Sequence, residues 1–150
     1  MFKADVAMVE RIEQQTFSPW SQSSLIEELH QDRGVVFVAE EAADLCISGI
    51  DRILGWCACR FCVPEAELLK IAVHTRARRQ GLAIHLLKHL EQFLVSKGVD
   101  TLFLEVRSQN QSALNLYVKS GFLQVGKRSG YYSNPEDNAL IYRKKIAGNV

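Results

Sequence analysis

The sequence lacks an excess of charge of either sign and lacks a long apolar run. Its 150 residues include 18 Lys and Arg against 17 Asp and Glu, a formal net charge of +1. A balance this even gives no general attraction for a polyanion, so nucleic acid is not expected as a direct partner. Charges interrupt the apolar residues of the opening MFKADVAMVERIEQQ, and no later run is long enough to span a bilayer. We therefore expect a cytoplasmic protein with no membrane partner.

Cysteine is scarce and confined to one region. The four residues are Cys46, Cys57, Cys59 and Cys62, and no second C-x-x-C or histidine pair completes a zinc-type spacing. The segment GWCACRFCV alternates as a strand does, which places Cys57 and Cys59 on one face as small, half-buried side chains. A cytosolic compartment keeps thiols reduced. We predict structural cysteines, no disulfide and no metal site.

The sequence also lacks repeats, low-complexity tracts and linkers, and its helix and strand patterns alternate throughout. A length of 150 residues is typical of one domain, so we predict a single domain of mixed α/β class over residues 1–150. The patterns predict two helices and then a meander of three strands, at residues 4–15, 21–30, 35–41, 53–63 and 66–73. The connection at 42–52 is left unassigned.

A basic segment with one glycine, HTRARRQG, precedes an apolar helix pattern that begins at Leu82 and ends at Gly98. The N-terminus of a helix exposes unpaired N–H groups and a partial positive charge, which can bind a phosphate. The nearby cations of Arg76, Arg78 and Arg79 suit a pyrophosphate or a 3′-phosphate. A solvated basic loop is the alternative. Neither a Walker motif nor the dinucleotide fingerprint G-x-G-x-x-G is present.

The segment TLFLEVRSQNQSALNLYVKSGF places Glu105 inside an otherwise apolar strand. Alternation puts Glu105 on one face with Phe103 and Arg107. A carboxylate held beside an aromatic ring is a candidate general base, while an ordinary half-exposed carboxylate paired with Arg107 is the alternative. The following helix, predicted at 111–119 and ended near Gly121, carries Tyr117 on its inner side, so a core role for this tyrosine stays open.

One of these motifs resembles the acyl-CoA motif of the GNAT N-acetyltransferase superfamily, Q/R-x-x-G-x-G/A. The matching residues are Arg78, Gly81 and Ala83, after a strand and at the start of a helix. The resemblance implies acetyl-CoA as cosubstrate, with its pyrophosphate on the backbone of the motif and its pantetheine paired with the end of the preceding strand. The cofactor-binding residues that it implies are Ile71, Ala72, Val73, Arg78, Arg79, Gln80, Gly81, Leu82, Ala83 and Ile84.

The stretch LEVRSQNQSALNLYVKSGF resembles one branch of that superfamily more closely, the ribosomal-protein-alanine N-acetyltransferases of the RimI type. In that branch the glutamate of L-E-V-R is the general base. The asparagine of the next loop holds pantetheine, and the tyrosine of the helix is the general acid. The resemblance therefore implies these roles for Glu105, Asn110 and Tyr117.

Two further segments, FSPWS and GYYSNPEDNALIY, resemble the substrate-facing and closing segments of the same branch. They imply Trp20, Tyr131 and Tyr132 as substrate-binding residues, with aromatic packing under a hairpin as the alternative. Phenol and indole rings in an open groove suit the first residues of a peptide, whose backbone leads the recognition.

The resemblance implies a mixed, mostly antiparallel twisted sheet flanked by helices, with a V-shaped splay between central strands at the acyl-CoA site. The implied reaction is direct transfer of acetyl from acetyl-CoA to the N-terminal α-amine of a protein in a ternary complex. The expected partner is a ribosomal protein of the small subunit that begins with alanine, and the enzyme is expected to be a monomer or a weak dimer. Two alternatives are a GNAT enzyme for a small amine or lysine, and a noncatalytic acyl-CoA sensor.

Overall fold

The structure is a computed structural model that describes residues 1–42 and 52–146. Its helices are α1 (Val6–Glu13), α2 (Gln22–Leu29), α3 (Leu82–Ser96) and α4 (Gln111–Lys119), with short 3-10 helices at Lys3–Asp5 and Thr75–Ala77. Its strands are β1 (Gly34–Glu40), β2 (Ile53–Cys62), β3 (Glu65–Val73), β4 (Thr101–Arg107), β5 (Leu123–Ser133) and β6 (Glu136–Lys145). The helices and strands predicted from the sequence are present with small shifts at their ends, whereas most of the connection at 42–52 lies outside the described residues.

The six strands form one sheet in the order β1-β2-β3-β4-β6-β5. β1 pairs antiparallel with β2, β6 pairs antiparallel with β4 and β5, and β3 pairs parallel with β4. In the part of the chain that the structure describes, the β3–β4 ladder runs from Glu65↔Thr101 to Leu68↔Leu104, and both strands continue beyond it. The predicted splay between central strands stays a prediction. The predicted fold class, a mixed and mostly antiparallel sheet flanked by helices, is confirmed.

The chain divides into two compact units. The first comprises Met1–Arg60 and Lys70–Leu90, and the second comprises Phe61–Leu69 and Glu91–Val150. The first unit therefore contains the end of β3 and the start of α3, where the basic segment lies. The second contains β4, α4 and the β5–β6 hairpin. A single domain over residues 1–150 stays a prediction.

Helices of the first unit form where apolar residues recur on one side. α1 buries Val6, Val9 and Ile12, and α2 begins at Ser21, whose hydroxyl accepts a hydrogen bond from the N–H of Ser24 at 3.2 Å. Ser21 is thus the N-cap residue of α2, directly before its first residue Gln22. None of the helices within residues 1–42 and 52–146 is long and apolar enough to cross a membrane.

Gly55 of β2 lets α3 lie close to the sheet. A Cβ at this position would stand 3.1 Å from the carbonyl oxygen of Ala72 on β3 and 3.1 Å from Cδ1 of Leu86 on α3. Both distances are shorter than ordinary van der Waals contact, so a larger residue would push α3 away from the end of β3. The glycine thereby helps to fix the start of α3.

In the second unit, β4 shows the alternation predicted from its sequence. Leu102, Leu104 and Val106 are buried, whereas Phe103, Glu105 and Arg107 are partly exposed. α3 ends before Gly98, at φ +85°, and α4 ends before Gly121, at φ +86°. Both glycines adopt the left-handed conformation that commonly terminates a helix.

The structure describes three of the four cysteines. Cys57 and Cys59 are buried and Cys62 is exposed, while Cys46 lies outside the described residues. Burial raises the pKa of the Cys57 thiol to about 12, which keeps it protonated and unreactive at neutral pH. Cys57 and Cys59 are thus more deeply buried than their strand pattern predicted, because the residues on both faces of β2 are buried from Gly55 to Cys59.

Candidate active site

The basic segment after β3 is an ordered turn. The N–H of His74 donates to the carbonyl of Leu54 on β2 at 2.8 Å, which extends the hydrogen bonding between β2 and β3 by one residue. The ring Nδ1 of His74 accepts the N–H of Arg76 at 3.2 Å and caps the short 3-10 helix at Thr75–Ala77. The N–H of Thr75 donates to Oε1 of Gln15 at 2.8 Å. These bonds fix the path of the chain between β3 and α3.

Two residues of this turn, Arg79 and Gly81, adopt left-handed backbone conformations, with φ of +63° and +83°. A Cβ at Gly81 would meet only the ring of His85 at 3.9 Å, so its backbone conformation and not space favours glycine there. Alternation of left-handed and other conformations turns successive N–H groups toward one concavity, an arrangement that binds anions.

The start of α3 offers further backbone donors directly after this turn. The first helical hydrogen bond runs from the N–H of His85 to the carbonyl of Gly81 at 3.1 Å. The N–H groups of Leu82, Ala83 and Ile84 precede it and therefore have no partner in the helical ladder. They lie at the positive end of the helix dipole, where a phosphate is favoured.

The three arginines of the segment have different roles. Arg76 forms a bidentate pair with Glu41, at 3.2 and 3.1 Å. Arg78 donates through Nε to the carbonyl of Val73 at 3.0 Å and through Nη2 to the carbonyl of Gln15 at 3.0 Å. Arg79 is exposed and, among the residues the structure describes, forms no hydrogen bond or ion pair. Arg76 and Arg78 therefore contact other parts of the chain, and the prediction that the three cations surround a phosphate stays a prediction.

The residues present fit a phosphate-bearing cosubstrate. Arg79, Gly81 and the first N–H groups of α3 provide one cation and several backbone donors in a fixed turn. Gln80 helps to hold the turn, since its Nε2 donates to the carbonyl of Arg76 at 3.0 Å. At the end of β3, Ile71 and Val73 are partly exposed and Ala72 is buried. The carbonyl of Val73 accepts one hydrogen bond from Arg78 and keeps a second lone pair, so the pairing of pantetheine with the end of β3 stays a prediction.

Reversal of the charge at Arg79 is expected to weaken acetyl-CoA binding by roughly ten- to a hundredfold at low salt, because a charge-assisted contact becomes a repulsive one. Arg79→Gly should weaken binding less while keeping the left-handed backbone. Isothermal titration at two salt concentrations measures both. Lys88→Glu, the same reversal at an exposed position of α3, is the control and should leave the dissociation constant unchanged. Equal affinity in Arg79→Glu and wild type would rule out this cation as a phosphate ligand.

Glu105 lies in the second unit, on β4, with its side chain 22% exposed. Nε of Arg128 on β5 lies 3.2 Å from Glu105 Oε1. The guanidinium of Arg107 donates to the carbonyls of Asn134 and Pro135, at 3.1 and 2.9 Å, in the β5–β6 turn. The ion pair with Arg128 was not predicted from the sequence, which suggested Arg107 as the partner in the alternative reading of Glu105.

The predicted substrate residues Tyr131 and Tyr132 lie beside this ion pair. The guanidinium of Arg128 is 5.3 Å from the ring centre of Tyr131, and that of Arg107 is 4.0 Å from the ring centre of Tyr132. The two rings meet edge to face at 5.0 Å. We call Glu105, Arg107, Arg128, Tyr131 and Tyr132 the Glu105 cluster. The structure thus brings the predicted base and two predicted substrate residues together.

The ionisation of Tyr132 is shifted within this cluster. Burial raises the pKa of its phenol, while the Arg107 guanidinium opposes that rise and Glu105 adds to it. Tyr132 therefore keeps its proton at neutral pH. Both tyrosines lie in strand β5, because a bulge between Arg128 and Tyr132 lets β5 resume its pairing with β6.

Tyr117 and Asn110 occupy the α4 region of the same unit. Tyr117 is buried and packs edge to face on Phe122, with ring centres 5.7 Å apart. Asn110 Oδ1 accepts the N–H of Ala113 at 3.2 Å and caps α4. Within the described residues the Nδ2 group of Asn110 forms no hydrogen bond, so it remains a donor for a ligand. The roles of Tyr117 and Asn110 in the reaction stay predictions.

Glu13 of α1 was not predicted as a functional residue and organises the segment around Trp20. It is fully buried, and its Oε2 accepts the N–H of Trp20 at 2.7 Å and lies 3.0 Å from the ammonium of Lys70 on β3. Its Oε1 accepts the indole N–H of Trp56 at 3.1 Å, and the ring of Trp20 packs edge to face on Trp56 at 5.6 Å. One sequence signal was available: Glu13 falls on the apolar face of α1, four residues after Val9.

Asp137 of β6 was also missed and holds the loop that leads to Asn110. Its carboxylate accepts the hydroxyl of Ser108, the N–H of Gln109 at 3.2 Å and the N–H of Asn138 at 2.7 Å. Ser108 and Gln109 immediately precede Asn110 in sequence. No local pattern indicates this role, because Asp137 is 29 positions from Ser108 and 28 positions from Gln109.

Removal of this carboxylate in Asp137→Ala is expected to lower the melting temperature at pH 7. The hydrogen bond from Ser108, above all, lowers the pKa of Asp137 below its ordinary 3.8. A lowered pKa means that the stabilisation is complete above pH 3.8 and is lost as the pH falls through the lowered pKa. The difference between variant and wild type, followed by thermal melts across this range, should shrink on acidification. A difference that does not change with pH would contradict this role for the charge.

The sequence signature of the acetyltransferase (GNAT) family matches residues 6–122. The chain is 33% identical over 146 residues to a ribosomal protein bS18-alanine N-acetyltransferase from Salmonella typhimurium, covering 95% of this chain and 93% of that one. It is 33% identical over 126 residues to the protein of the same name from Haemophilus ducreyi, covering 82% and 81%. The crystal structure of the ribosomal-protein-S18-alanine N-acetyltransferase from Escherichia coli superposes with a TM-score of 0.85 at 29% identity, covering 100% of this chain and 93% of that one.

A signature that spans most of the chain, on a sheet of the predicted class, shows that this chain belongs to the acetyltransferase (GNAT) family. It is accordingly an acetyl-CoA-dependent N-acetyltransferase. The predicted family and enzyme class are therefore confirmed.

Proposed function

We propose that this enzyme acetylates the N-terminal α-amino group of a protein, namely the N-terminal alanine of ribosomal protein bS18, in the cytoplasm. The observation that carries the proposal is the near full-length similarity to the Salmonella typhimurium protein that bears this activity in its name. The Glu105 cluster supports it, because exposed aromatic surface beside a carboxylate suits a short peptide that presents an amine. The enzyme would act as a monomer or a weak dimer, without nucleic acid.

The chemistry of the acceptor favours a chain terminus over a side chain. An α-amine with a pKa near 7.7–8.0 is roughly one-fifth neutral at pH 7.2, whereas a lysine with a pKa near 10.4 is neutral about one time in a thousand. Only the neutral amine has a lone pair for attack. An enzyme for α-amines therefore needs only a base that collects one proton as the C–N bond forms.

Glu105 is the residue proposed for that step. Its carboxylate is partly exposed and ionically paired on one oxygen, which leaves it reachable by the proton of an amine, directly or through a water. Acetyl-CoA supplies the acetyl group as a thioester, and direct attack requires no acyl-enzyme. Arg79 and the N–H groups at the start of α3 would hold the phosphates of the donor, and Asn110 its pantetheine.

Tyr117 is proposed as the acid for the departing thiolate. Reference pKa values of about 10 for a phenol and about 8.5 for a thiol make full proton transfer uphill by roughly 2 kcal/mol. A hydrogen bond from the phenol to the developing thiolate avoids that cost. Tyr117→Phe is therefore the variant that isolates this hydroxyl.

Two matched peptides test the proposal. One begins with a free alanine and contains no lysine, and the other is blocked at its N-terminus and contains internal lysines. Release of CoA is followed with a thiol reagent at fixed pH and salt. Turnover of the free-alanine peptide alone is expected. Turnover of the lysine peptide alone would refute the proposed acceptor. If neither peptide is turned over while acetyl-CoA still binds, a small-amine enzyme or a sensor would be favoured.

A further inference from the structure

The carboxylate proposed as the base has a guanidinium on only one of its two oxygens. Nε of Arg128 lies 3.2 Å from Oε1 of Glu105, and the two side chains are 53% and 22% exposed. Within residues 1–42 and 52–146, Oε2 of Glu105 has no hydrogen-bond or ion-pair partner. One oxygen is thus occupied and the other remains available to take a proton.

The sheet register explains why Arg128 reaches this carboxylate. Across β6, Glu105 of β4 and Gly126 of β5 both pair with Ile141. Arg128 stands two residues further along β5 and therefore projects from the same face as Gly126. A Cβ at Gly126 would lie only 3.2 Å from Cδ1 of Ile141. A side chain at this position would therefore press on Ile141, which pairs with both Glu105 and Gly126.

The same guanidinium also contacts Tyr131, one of the tyrosines proposed to bind the peptide. It lies 5.3 Å from the ring centre, and the ring is 52% exposed. Gly130, at φ +60°, donates its N–H to Oδ1 of Asn138 at 3.0 Å and so fixes the bulge that presents Tyr131. Ion pairs and cation–π contacts at such exposed positions are weak, so a peptide that binds to the ring of Tyr131 can move the guanidinium of Arg128.

We propose that Arg128 is a positioning residue that couples peptide binding at Tyr131 to the orientation of Glu105. It holds Oε1 and leaves Oε2 to accept the proton that the amine loses as the C–N bond forms. No bond to Arg128 is made or broken. The inference rests on the proposed function, because it assumes that Glu105 is the base and that a peptide engages Tyr131.

The test compares Arg128→Ala, Arg128→Lys and Lys127→Ala on the free-alanine peptide. Arg128→Ala should lower kcat roughly ten- to a hundredfold, since a misplaced catalytic group costs rate even when binding survives. Arg128→Lys should recover only part of this loss, because an ammonium keeps the charge but not the planar fork. Lys127→Ala, which removes the same charge from the adjacent exposed position of β5, should retain kcat.

Two further readouts separate positioning from a structural role. Free guanidinium ion at low millimolar concentration should restore part of the kcat of Arg128→Ala and do nothing for Lys127→Ala. The melting temperature and the dissociation constant of acetyl-CoA should match wild type in all three variants.

The results of these measurements separate the role of Arg128 from the proposed function. An Arg128→Ala enzyme with the kcat of Lys127→Ala, or one whose loss follows unfolding, overturns the role of Arg128 and leaves the proposed function intact. Wild-type enzyme that binds acetyl-CoA but does not turn over the free-alanine peptide overturns the proposed function, and the inference with it.

Discussion

Replacement of Glu105 by glutamine is expected to lower kcat by about a hundredfold or more on a peptide with a free N-terminal alanine, with the dissociation constant of acetyl-CoA unchanged. The reason is that a general base contributes on the order of 10²–10⁴ in rate, and an amide of the same shape cannot accept the proton. Glutamine still offers an oxygen to Arg128, so the ion pair is replaced by a hydrogen bond and the packing is preserved. Initial rates of CoA release and a binding titration measure the two quantities.

A second glutamate serves as the control for the loss of a carboxylate charge. Glu65→Gln removes the same charge from an exposed position at the start of β3 and should behave as wild type. If Glu105→Gln loses acetyl-CoA binding, it is wrong to assign acetyl-CoA binding to the turn before α3 and only proton acceptance to Glu105. If it keeps full kcat, another group is the base.

Replacement of Glu13 by alanine is expected to lower the free energy of unfolding by about 3–5 kcal/mol, because it breaks a buried ion pair by removing one partner. The fully buried carboxylate accepts from Trp56 at 3.1 Å and from Trp20 at 2.7 Å, and Lys70 lies 3.0 Å away. Its loss leaves a buried indole N–H unsatisfied and removes the carboxylate that faces the ammonium of Lys70, which keeps only the neutral acceptors of Thr16 and Ser18. For a chain of this size the melting temperature should fall by about 10 °C.

Denaturant unfolding of Glu13→Ala beside Glu10→Ala measures the effect. Glu10 lies on the same helix, and its side chain makes no hydrogen bond or ion pair among the described residues. Its replacement should change the free energy of unfolding by no more than about 0.5 kcal/mol. Equal stability of the two variants would show that the buried carboxylate does not hold α1, Trp20 and β3 together.

Features with a local signal could be predicted from the sequence. α4 was predicted at its observed bounds because Gln111–Lys119 combines a helical period with a glycine stop. The alternation of β4, which leaves Glu105 partly exposed, follows from the two-residue period of a strand. The turn that places Gly81 before α3 could be predicted because a glycine and a helix start lie within a few residues.

The partners of these side chains could not be predicted, because they come from distant parts of the chain. Arg78 bonds to Gln15, which is 63 positions away, and Arg76 to Glu41, which is 35 positions away. The sequence of this segment therefore does not indicate that two of its three arginines have partners elsewhere in the chain. Similarly, the pairing of Arg128 with Glu105 depends on the register of three strands, and no local period encodes that register.

The measurement that tests the central claim most directly is the position of the acetyl group on a single peptide that carries both kinds of amine. The peptide begins with a free alanine and contains one internal lysine, so that both acceptors meet the same enzyme at the same concentration. Tandem mass spectrometry locates the added acetyl. Modification of the α-amine of alanine is expected, with the lysine unmodified. Acetyl on the lysine side chain, with the N-terminus free, would contradict it.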